Sequence, residues 1–500
     1  MKRMKTKFFS LFFLVLLVLV SCSNNESASS GEGDNTDNED RPTIHFMTNL
    51  LTPNVPNDKI LTKVEEATGY NLEIDWVPDN NYNERLNTAF ATNSLPDVVG
   101  IGFQQIDQFK EAIRDGQFWE IGPYLEDYEN LSKLKDEIID NSKIDGKVYG
   151  LYQGRPLSRS GIIYRKDWAD NLGLSAPTTT EEFFEMAKAF TEDDPDGNGE
   201  DDTIGLTDRS DLIYGSFKTI ASWFGTPNYW GVKEDEILPQ FTFPEYMDTM
   251  NFMKALRDNG YMNKDFPVTS KEDQTEMFKN GTAGLYVGSM SDVKSMYEDA
   301  SKINPDVEYD VQNYVEGPDG EYGVWSIPGY GSLMLFPKSS VESEEELKDI
   351  LTFYDYLMTP EVANLALWGE EGMHYELIDG QAKVIDQDKY DAEVRPYKIF
   401  EIGEPETSGK YEGYNDYEPA LKAKELEKDN ENYLIENPTV TLDSETYAAK
   451  AGELDQIMTD ATYQYILGDM DEEGFEAAIG KWKEAGGQEA LQEFNESYQK

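Results

Sequence analysis

With 98 acidic against 43 basic side chains in 500 residues, this chain carries a formal charge of −55. Such a charge repels nucleic acid and anionic lipid surfaces, which sets both aside as partners. One cysteine, Cys22, and two histidines, His45 and His374, leave no internal disulfide and no multi-histidine zinc centre. Any serine triad would have to use one of those two histidines, while paired-carboxylate chemistry stays open because the acids offer too many pairs.

The chain opens with Lys2, Arg3, Lys5 and Lys7, then the apolar run Phe8 to Val20, then the small Ser21. This is the layout of a secretory signal. An uncleaved membrane helix is the alternative, but 13 residues fall short of the roughly 20 that span a bilayer. Leu19-Val20-Ser21-Cys22 resembles the bacterial lipobox. That resemblance implies removal of residues 1–21 and attachment of diacylglycerol and an N-acyl chain to Cys22. Several acyl chains anchor stably, so the expected location is the extracellular face of the cell membrane, held by lipid. Losing four positive charges takes −55 to −59, and lipidation consumes the one thiol, which excludes cysteine nucleophiles and thiolate metal sites. Residues 22–41 are rich in Ser, Asn, Gly, Glu and Asp and read as a flexible tether. Folding is expected to begin near Pro42.

A regular alternation follows. Thr43 to Met47 reads as a strand, and Asn57 precedes a helix with Ile60, Leu61, Val64 and Ala67 at helical spacing, ended by Gly69. Leu72 to Val77 alternates as a strand, Asn83 to Asn93 places Leu86, Ala89 and Phe90 on one helical face, and Val98 to Ile101 is a third strand. Strand-helix-strand-helix-strand predicts a parallel, doubly wound α/β layer. Ligands of such layers bind beyond the carboxyl ends of the strands, which points to Thr48-Asn49-Leu50 and to Gly100 to Phe103. Pro244 to Asp258 reads as an amphipathic helix with Tyr246, Met250 and Met253 in the core, and Phe475 to Tyr498 as two helices broken at Gly486-Gly487. No fixed-period repeat is present, which argues against a solenoid.

Asp194-Pro-Asp196-Gly-Asn198-Gly-Glu200-Asp-Asp202 places oxygen side chains at relative positions 1, 3, 5 and 9, with Gly199 at position 6. Alternating oxygens on a tight loop wrap a hard cation, and position 7, Glu200, supplies a backbone carbonyl in such loops. A structural calcium ion is the expectation. Gly205 stands where an EF-hand has its bidentate glutamate, so a further ligand must be water or a carboxylate such as Asp201 or Asp208. A solvated acidic turn is the alternative.

Several segments together resemble the extracellular solute-binding lipoproteins of carbohydrate ABC transporters, in the larger branch that takes alginate and oligosaccharides. They are Leu95-Pro96-Asp97-Val98-Val99, the DGKxYGL stretch Asp145 to Leu151, with Tyr152 where proline is usual, and Tyr164-Arg165-Lys166-Asp167-Trp168 followed by Leu172-Gly173-Leu174 and Pro177-Thr178-Thr179. Gly369 to Tyr375 is similar to that branch's GxEGxHY segment. The resemblance implies an α/β, two-lobe, periplasmic-binding-protein-like fold (type II), with hinge strands joining the lobes and a ligand cleft between them. It implies lobe 1 from 42–155, lobe 2 from 156–330 with the loop insertion 194–205, a lobe 1 return over 331–380, and 381–500 mostly in lobe 2. It also implies delivery of an oligosaccharide to permease subunits, with no chemistry; a monomer suits a closing clamp.

Sugar rings stack on aromatic faces, and polar groups orient their hydroxyls. The densest aromatic loop is Trp223 to Trp230, giving Trp223, Asn228, Tyr229 and Trp230 as candidates. Trp325, after a turn, Trp368, Glu371 and Tyr375 around the glycine-rich segment, Asn49 at a strand end, and Arg155 and Arg159 before a strand complete the set. With 62 aromatic residues most must be core, so each competes with a packing role; Trp168 reads as packing. An anionic uronate would need a cation, for which Arg155, Arg159 and Lys166 are available. His374 is given a hydrogen-bonding or packing role and no catalysis. The competing functions are a surface glycoside hydrolase or polysaccharide lyase using paired carboxylates, and a peptide-binding receptor of similar architecture.

Overall fold

A computed structural model describes residues 41–50, 54–78, 81–103 and 105–499. Cys22, the signal segment and nearly all of the tether lie outside the described residues. Contacts divide the chain into residues 1–41 and 42–500, and the fold is that of the second unit.

The first strands are β1 (Thr43–Leu50), β2 (Asn71–Pro78), β3 (Val98–Gly102) and β4 (Gly150–Gly154). Then come β5 (Ser160–Arg165), β6 (Ile204–Thr207), β7 (Trp230–Lys233), β8 (Glu236–Pro239), β9 (Ala283–Ser289) and β10 (Tyr309–Gln312). The last are β11 (Val324–Trp325), β12 (Tyr330–Leu335), β13 (Tyr375–Ile378), β14 (Gln381–Val384) and β15 (Leu434–Ile435).

In the first lobe β1 lies between β2 and β3 and parallel to both. The helix Lys59–Thr68 crosses from β1 to β2 because Ile60 and Val64 share one face, and both are fully buried. Each contributes roughly 1.5–3 kcal/mol by leaving water. Gly69 ends the helix at φ +80°, where its N–H reaches the Glu65 carbonyl; only glycine takes that conformation freely. The helix Tyr82–Ala91 makes the second crossover. β12 then enters antiparallel to β3, with β4 antiparallel to β12 on its far side. The sheet order is β2-β1-β3-β12-β4. The layer expected to be wholly parallel is therefore mixed, because a strand from far along the chain inserts beside β3.

The second sheet runs β10-β5-β9-β6. Along β5, Ile162 and Tyr164 face a core with Trp168, Phe183, Met250 and Met253, while Ile163 faces an opposite cluster with Phe278 and Tyr309. This is the period-2 alternation of a strand covered on both faces. The helix Pro244–Asp258 buries Tyr246, Met250 and Met253 as its spacing predicts. The C-terminal pair Glu472–Trp482 and Gln488–Tyr498 is broken at Gly486, φ +136°. Trp168 packs edge-on against Phe190 at 5.5 Å under the Arg165 guanidinium.

The segment 381–402, expected with the second lobe, contributes Tyr390, Val394, Tyr397, Phe400 and Ile402 to the first core. These aromatics complete the surface over Phe46 and Phe353. The chain thus passes between the lobes between Leu157 and Ile162, between Trp325 and Tyr330, and between Ile402 and Ala420. Backbone bonds knit these crossings together: Ile327 N–H to Leu157 O at 2.8 Å, Arg155 N–H to Gly329 O at 2.8 Å and Gly403 N–H to Tyr152 O at 3.0 Å. Tyr152, in place of the usual proline, donates its hydroxyl to Glu404 at 3.0 Å and accepts the Lys135 N–H at 2.9 Å. Away from these crossings Arg114 of the first lobe meets Asp443 of the second, while its Nε holds Asp145 at 3.1 Å. The Arg114 guanidinium keeps the Asp145 carboxyl below the usual carboxylate range.

Candidate functional site

The aromatic loop after the helix Ser216–Trp223 folds against the second crossing, and its neighbouring residues take opposite roles. Asn228 is 1 % exposed and donates both amide hydrogens, to Ser326 O at 2.8 Å and to Ile435 O at 3.0 Å. It ties β11 and β15 to the loop and is not available to ligand. Tyr229 follows at φ +63°, a left-handed conformation that costs an aromatic residue on the order of 1–3 kcal/mol. The Asn228 clamp and the Gln240 N–H on Tyr229 O at 2.8 Å hold it there. Strain of this kind collects where a side chain is aimed for a purpose. The half-buried ring of Tyr229 lies 6.0 Å from that of Trp325, inclined at 30°. Trp325, 3 % exposed, is fixed by its indole N–H on Thr226 O at 2.6 Å. Tyr229 thus presents a partly exposed ring with the buried Trp325 ring behind it. Burial pushes the Tyr229 phenol well above its usual range, so it stays a neutral hydrogen-bonding group.

Lys218, a residue the sequence reading passed over, places its ammonium 5.7 Å from the Trp325 ring. It is 8 % exposed, and no ion pair reaches it among the described residues. Burial pushes its pKa down to about 8, with Asp211 opposing that shift from a distance. Asp211 itself is engaged by the backbone N–H groups of Ile213 and Tyr214, both at 2.9 Å. A lone lysine in the apolar octet SFKTIASW was the available signal, and it reads equally as the wet edge of a helix.

The other candidates separate from this group. Trp230 is 3 % exposed and wedged among Phe494, Tyr447 and Trp482 at 4.8, 5.6 and 6.1 Å, which makes it core. Trp223 is 1 % exposed with its ring edge-on to Phe183 at 5.3 Å; it also forms part of the wall of a cavity of about 320 Å³ with Tyr322 and Tyr433. Its indole N–H has no acceptor among the described residues. Trp368 donates to Tyr411 O at 3.0 Å and leans on Tyr390, and Tyr375 is buried 6.2 Å from the ring of Tyr411. Glu371 beside them is exposed. These three attach to the first lobe around the β13–β14 hairpin. His374 is fully buried; its Nδ1 accepts the Glu370 N–H at 3.0 Å, so Nε2 carries the proton and donates to Glu393 at 3.2 Å. Asn49 sits in β1 opposite Val77. Arg159 is exposed on the first crossing and Arg155 just before it, while Lys166 is taken by Asp170 at 2.5 Å.

In the acidic loop Asp194, itself at φ +48°, accepts the N–H groups of Asn198 and Gly199, both at 3.1 Å. The Asn198 amide reaches Asp196 at 3.0 Å and Asp202 at 3.2 Å, and its oxygen accepts the Glu200 N–H at 2.6 Å. The loop is thus closed by its own hydrogen bonds, with the Asn198 amide between Asp196 and Asp202, and no cluster of three or more acidic, histidine or cysteine side chains poised for a metal occurs among the described residues. Asp208, offered above as a further ligand, is instead buried at the start of the helix Ser216–Trp223, accepting the Ser216 N–H at 2.8 Å.

The model of the bacterial extracellular solute-binding protein family matches residues 56–364. The chain belongs to that family. A relative in Bacillus subtilis (strain 168), the polygalacturonan/rhamnogalacturonan-binding protein YtcQ, is 42 % identical over 482 residues, 96 % of each chain. The lipoprotein LipO of the same organism is 35 % identical over 99 % of each chain. Among solved structures, alginate-binding protein AlgQ2, crystallised without calcium ion, superposes with a TM-score of 0.67 at 16 % identity, covering 92 % of this chain and 99 % of its own. Two α/β lobes are thus the family fold. No helix among the described residues is long and apolar enough to cross a membrane.

Proposed function

We propose that this solute-binding protein, anchored through Cys22, captures an oligosaccharide between its lobes and hands it unchanged to an ABC transporter permease. The observation that carries the reading is Tyr229, held against Trp325 in a strained conformation next to the knitted crossings. A flat, partly exposed ring backed by a second ring suits the apolar face of a pyranose, and its place by the hinge suits a ligand that draws the lobes together. The names of relatives at 42 % and 35 % identity, a polygalacturonan/rhamnogalacturonan-binding protein and a lipoprotein, support the ligand class and the anchor. A thermal-shift panel of neutral and acidic oligosaccharides tests it. One glycan should raise the melting temperature, since ligand at a hundred times Kd adds about 2.7 kcal/mol to native-state stability, and prolonged incubation should leave that glycan intact. Shifts with peptides alone, or the appearance of cleaved product, would replace the reading.

The loop Asp194 to Asp202 is proposed to hold calcium through Asp194, Asp196, Asn198 and Asp202 with the Glu200 carbonyl, a structural ion that pins the loop. Calorimetry with calcium should show one site, and chelator should lower the melting temperature by several degrees; Asp196→Asn should remove both effects. A flat titration together with a melting curve indifferent to chelator rejects the ion.

A further inference from the structure

Lys218 is a buried cation with no ion-pair partner among the described residues, in a protein of −55 net charge. The charged and polar groups nearest it already have partners of their own. Trp325 gives its N–H to Thr226, Asp211 is held by its own turn and lies 3.7 Å from Arg209, and Arg209 donates to Tyr214 O. Asp455, electrostatically close to Tyr229, already accepts the Tyr447 hydroxyl at 2.9 Å. Among 98 acids, then, none is brought within ion-pairing distance of this ammonium among the described residues. Burying an ammonium in that condition is unfavourable, and the lowered pKa of Lys218 is its signature. A buried charge with no ion-pair partner, 5.7 Å from the indole that also backs the Tyr229 ring, is the arrangement of a site whose counter-ion arrives with the ligand.

We propose that Lys218 is the carboxylate-reading group of the site: it pairs with the carboxylate of a uronic-acid residue whose ring lies on Tyr229. This rests on the oligosaccharide-capture reading above and deepens it to a ligand class. Asp211 and Asp455, both electrostatically close to Tyr229, disfavour a carboxylate elsewhere around that ring. Arg155 and Arg159 are exposed, and of these cations only Lys218 is desolvated enough for its charge to discriminate strongly.

The test compares trigalacturonic acid with its fully methyl-esterified form by isothermal titration, in the wild-type protein, Lys218→Met and Lys218→Arg. The wild-type should bind the acid about 10- to 100-fold more tightly than the ester, the range of one hydrogen bond to a charged group. Lys218→Met should lose that preference, weakening for the acid by a similar factor while keeping its affinity for the ester within about threefold, and Lys218→Arg should retain part of it. A melting temperature equal to or above wild-type in Lys218→Met is expected, since an unpaired buried charge is removed. If the wild-type binds acid and ester equally, or the methionine variant keeps the preference, the assignment of Lys218 falls while oligosaccharide capture stands. If the wild-type binds neither and no other oligosaccharide in the panel, both fall together. The wild-type ratio alone decides the carboxylate question should a variant fail to fold.

Discussion

Trp230→Ala should cost the second lobe about 3–5 kcal/mol, whereas Tyr229→Ala, one residue earlier, should cost little and abolish most ligand affinity. Trp230 is surrounded by Phe494, Tyr447 and Trp482, rings contributed by the C-terminal helices and the long helix Glu445–Leu467. Truncation there leaves a cavity that three separate helices would have to collapse together to fill. Tyr229 is half-buried and packs only against the edge of that core, where its ring meets Trp325, and its backbone strain is the same for alanine. Denaturant unfolding should therefore show a lowered midpoint for Trp230→Ala with unchanged slope. Titration of Tyr229→Ala with the glycan that shifts the wild-type should show an affinity loss of at least tenfold at nearly unchanged midpoint. Equal destabilisation by both variants would mean that Tyr229 is core as well, and would remove its ring from the candidate site.

Acidification from pH 7.5 to 4.5 should stabilise the protein through Asp208, and Asp208→Asn should take up much of that gain at neutral pH. Burial raises the Asp208 pKa from 3.8 to about 6, against the opposing pull of the Ser216 and Arg209 N–H groups. The folded value lies above the unfolded one, so between about pH 4 and 6 the unfolded chain binds fewer protons and stability falls as pH rises. Above pH 6 the folded protein holds a buried carboxylate at a cost of about 3 kcal/mol, at 1.36 kcal/mol per pKa unit. An asparagine keeps an oxygen for the Ser216 N–H and sheds the charge, so the variant should gain about 1–3 kcal/mol at pH 7.5 and nothing at pH 4.5. Glu404, Glu427 and Asp455 are raised by burial too and add to the wild-type slope. The difference between the two pH profiles isolates Asp208, and parallel profiles would refute the assignment.

How much of this could be read from the sequence follows from the range of the forces involved. Helices such as Lys59–Thr68 and Pro244–Asp258 declare themselves, because their apolar spacing is local and their ends carry glycine or proline. The insertion of β12 beside β3 does not, since strand pairing across such a separation leaves no mark in either segment. The return of Tyr390 to Ile402 to the first core was hidden for the same reason. In the candidate site, aromatic density pointed to the loop 223–230 but not to the residue. Asn228, Tyr229 and Trp230 differ only in which way the backbone turns them, and the positive φ at Tyr229 that decides it occurs at a residue type with no preference for it. Composition favoured Arg155, Arg159 and Lys166 as cations because they sit in polar stretches. Desolvation, which singles out Lys218, is a property of the folded surroundings alone.

Asn228 gives the site a consequence that extends beyond holding a loop. One side chain grips Ser326, on the second crossing, and Ile435, while the next residue carries the ring that would meet the ligand. On the proposed reading, in which ligand favours closed lobes, occupancy and the angle between lobes are coupled, and thermodynamic reciprocity applies to them. Whatever factor ligand contributes to favouring the closed lobes, a permease that prised them apart would lower the affinity for cargo by that same factor, and release would require no separate trigger.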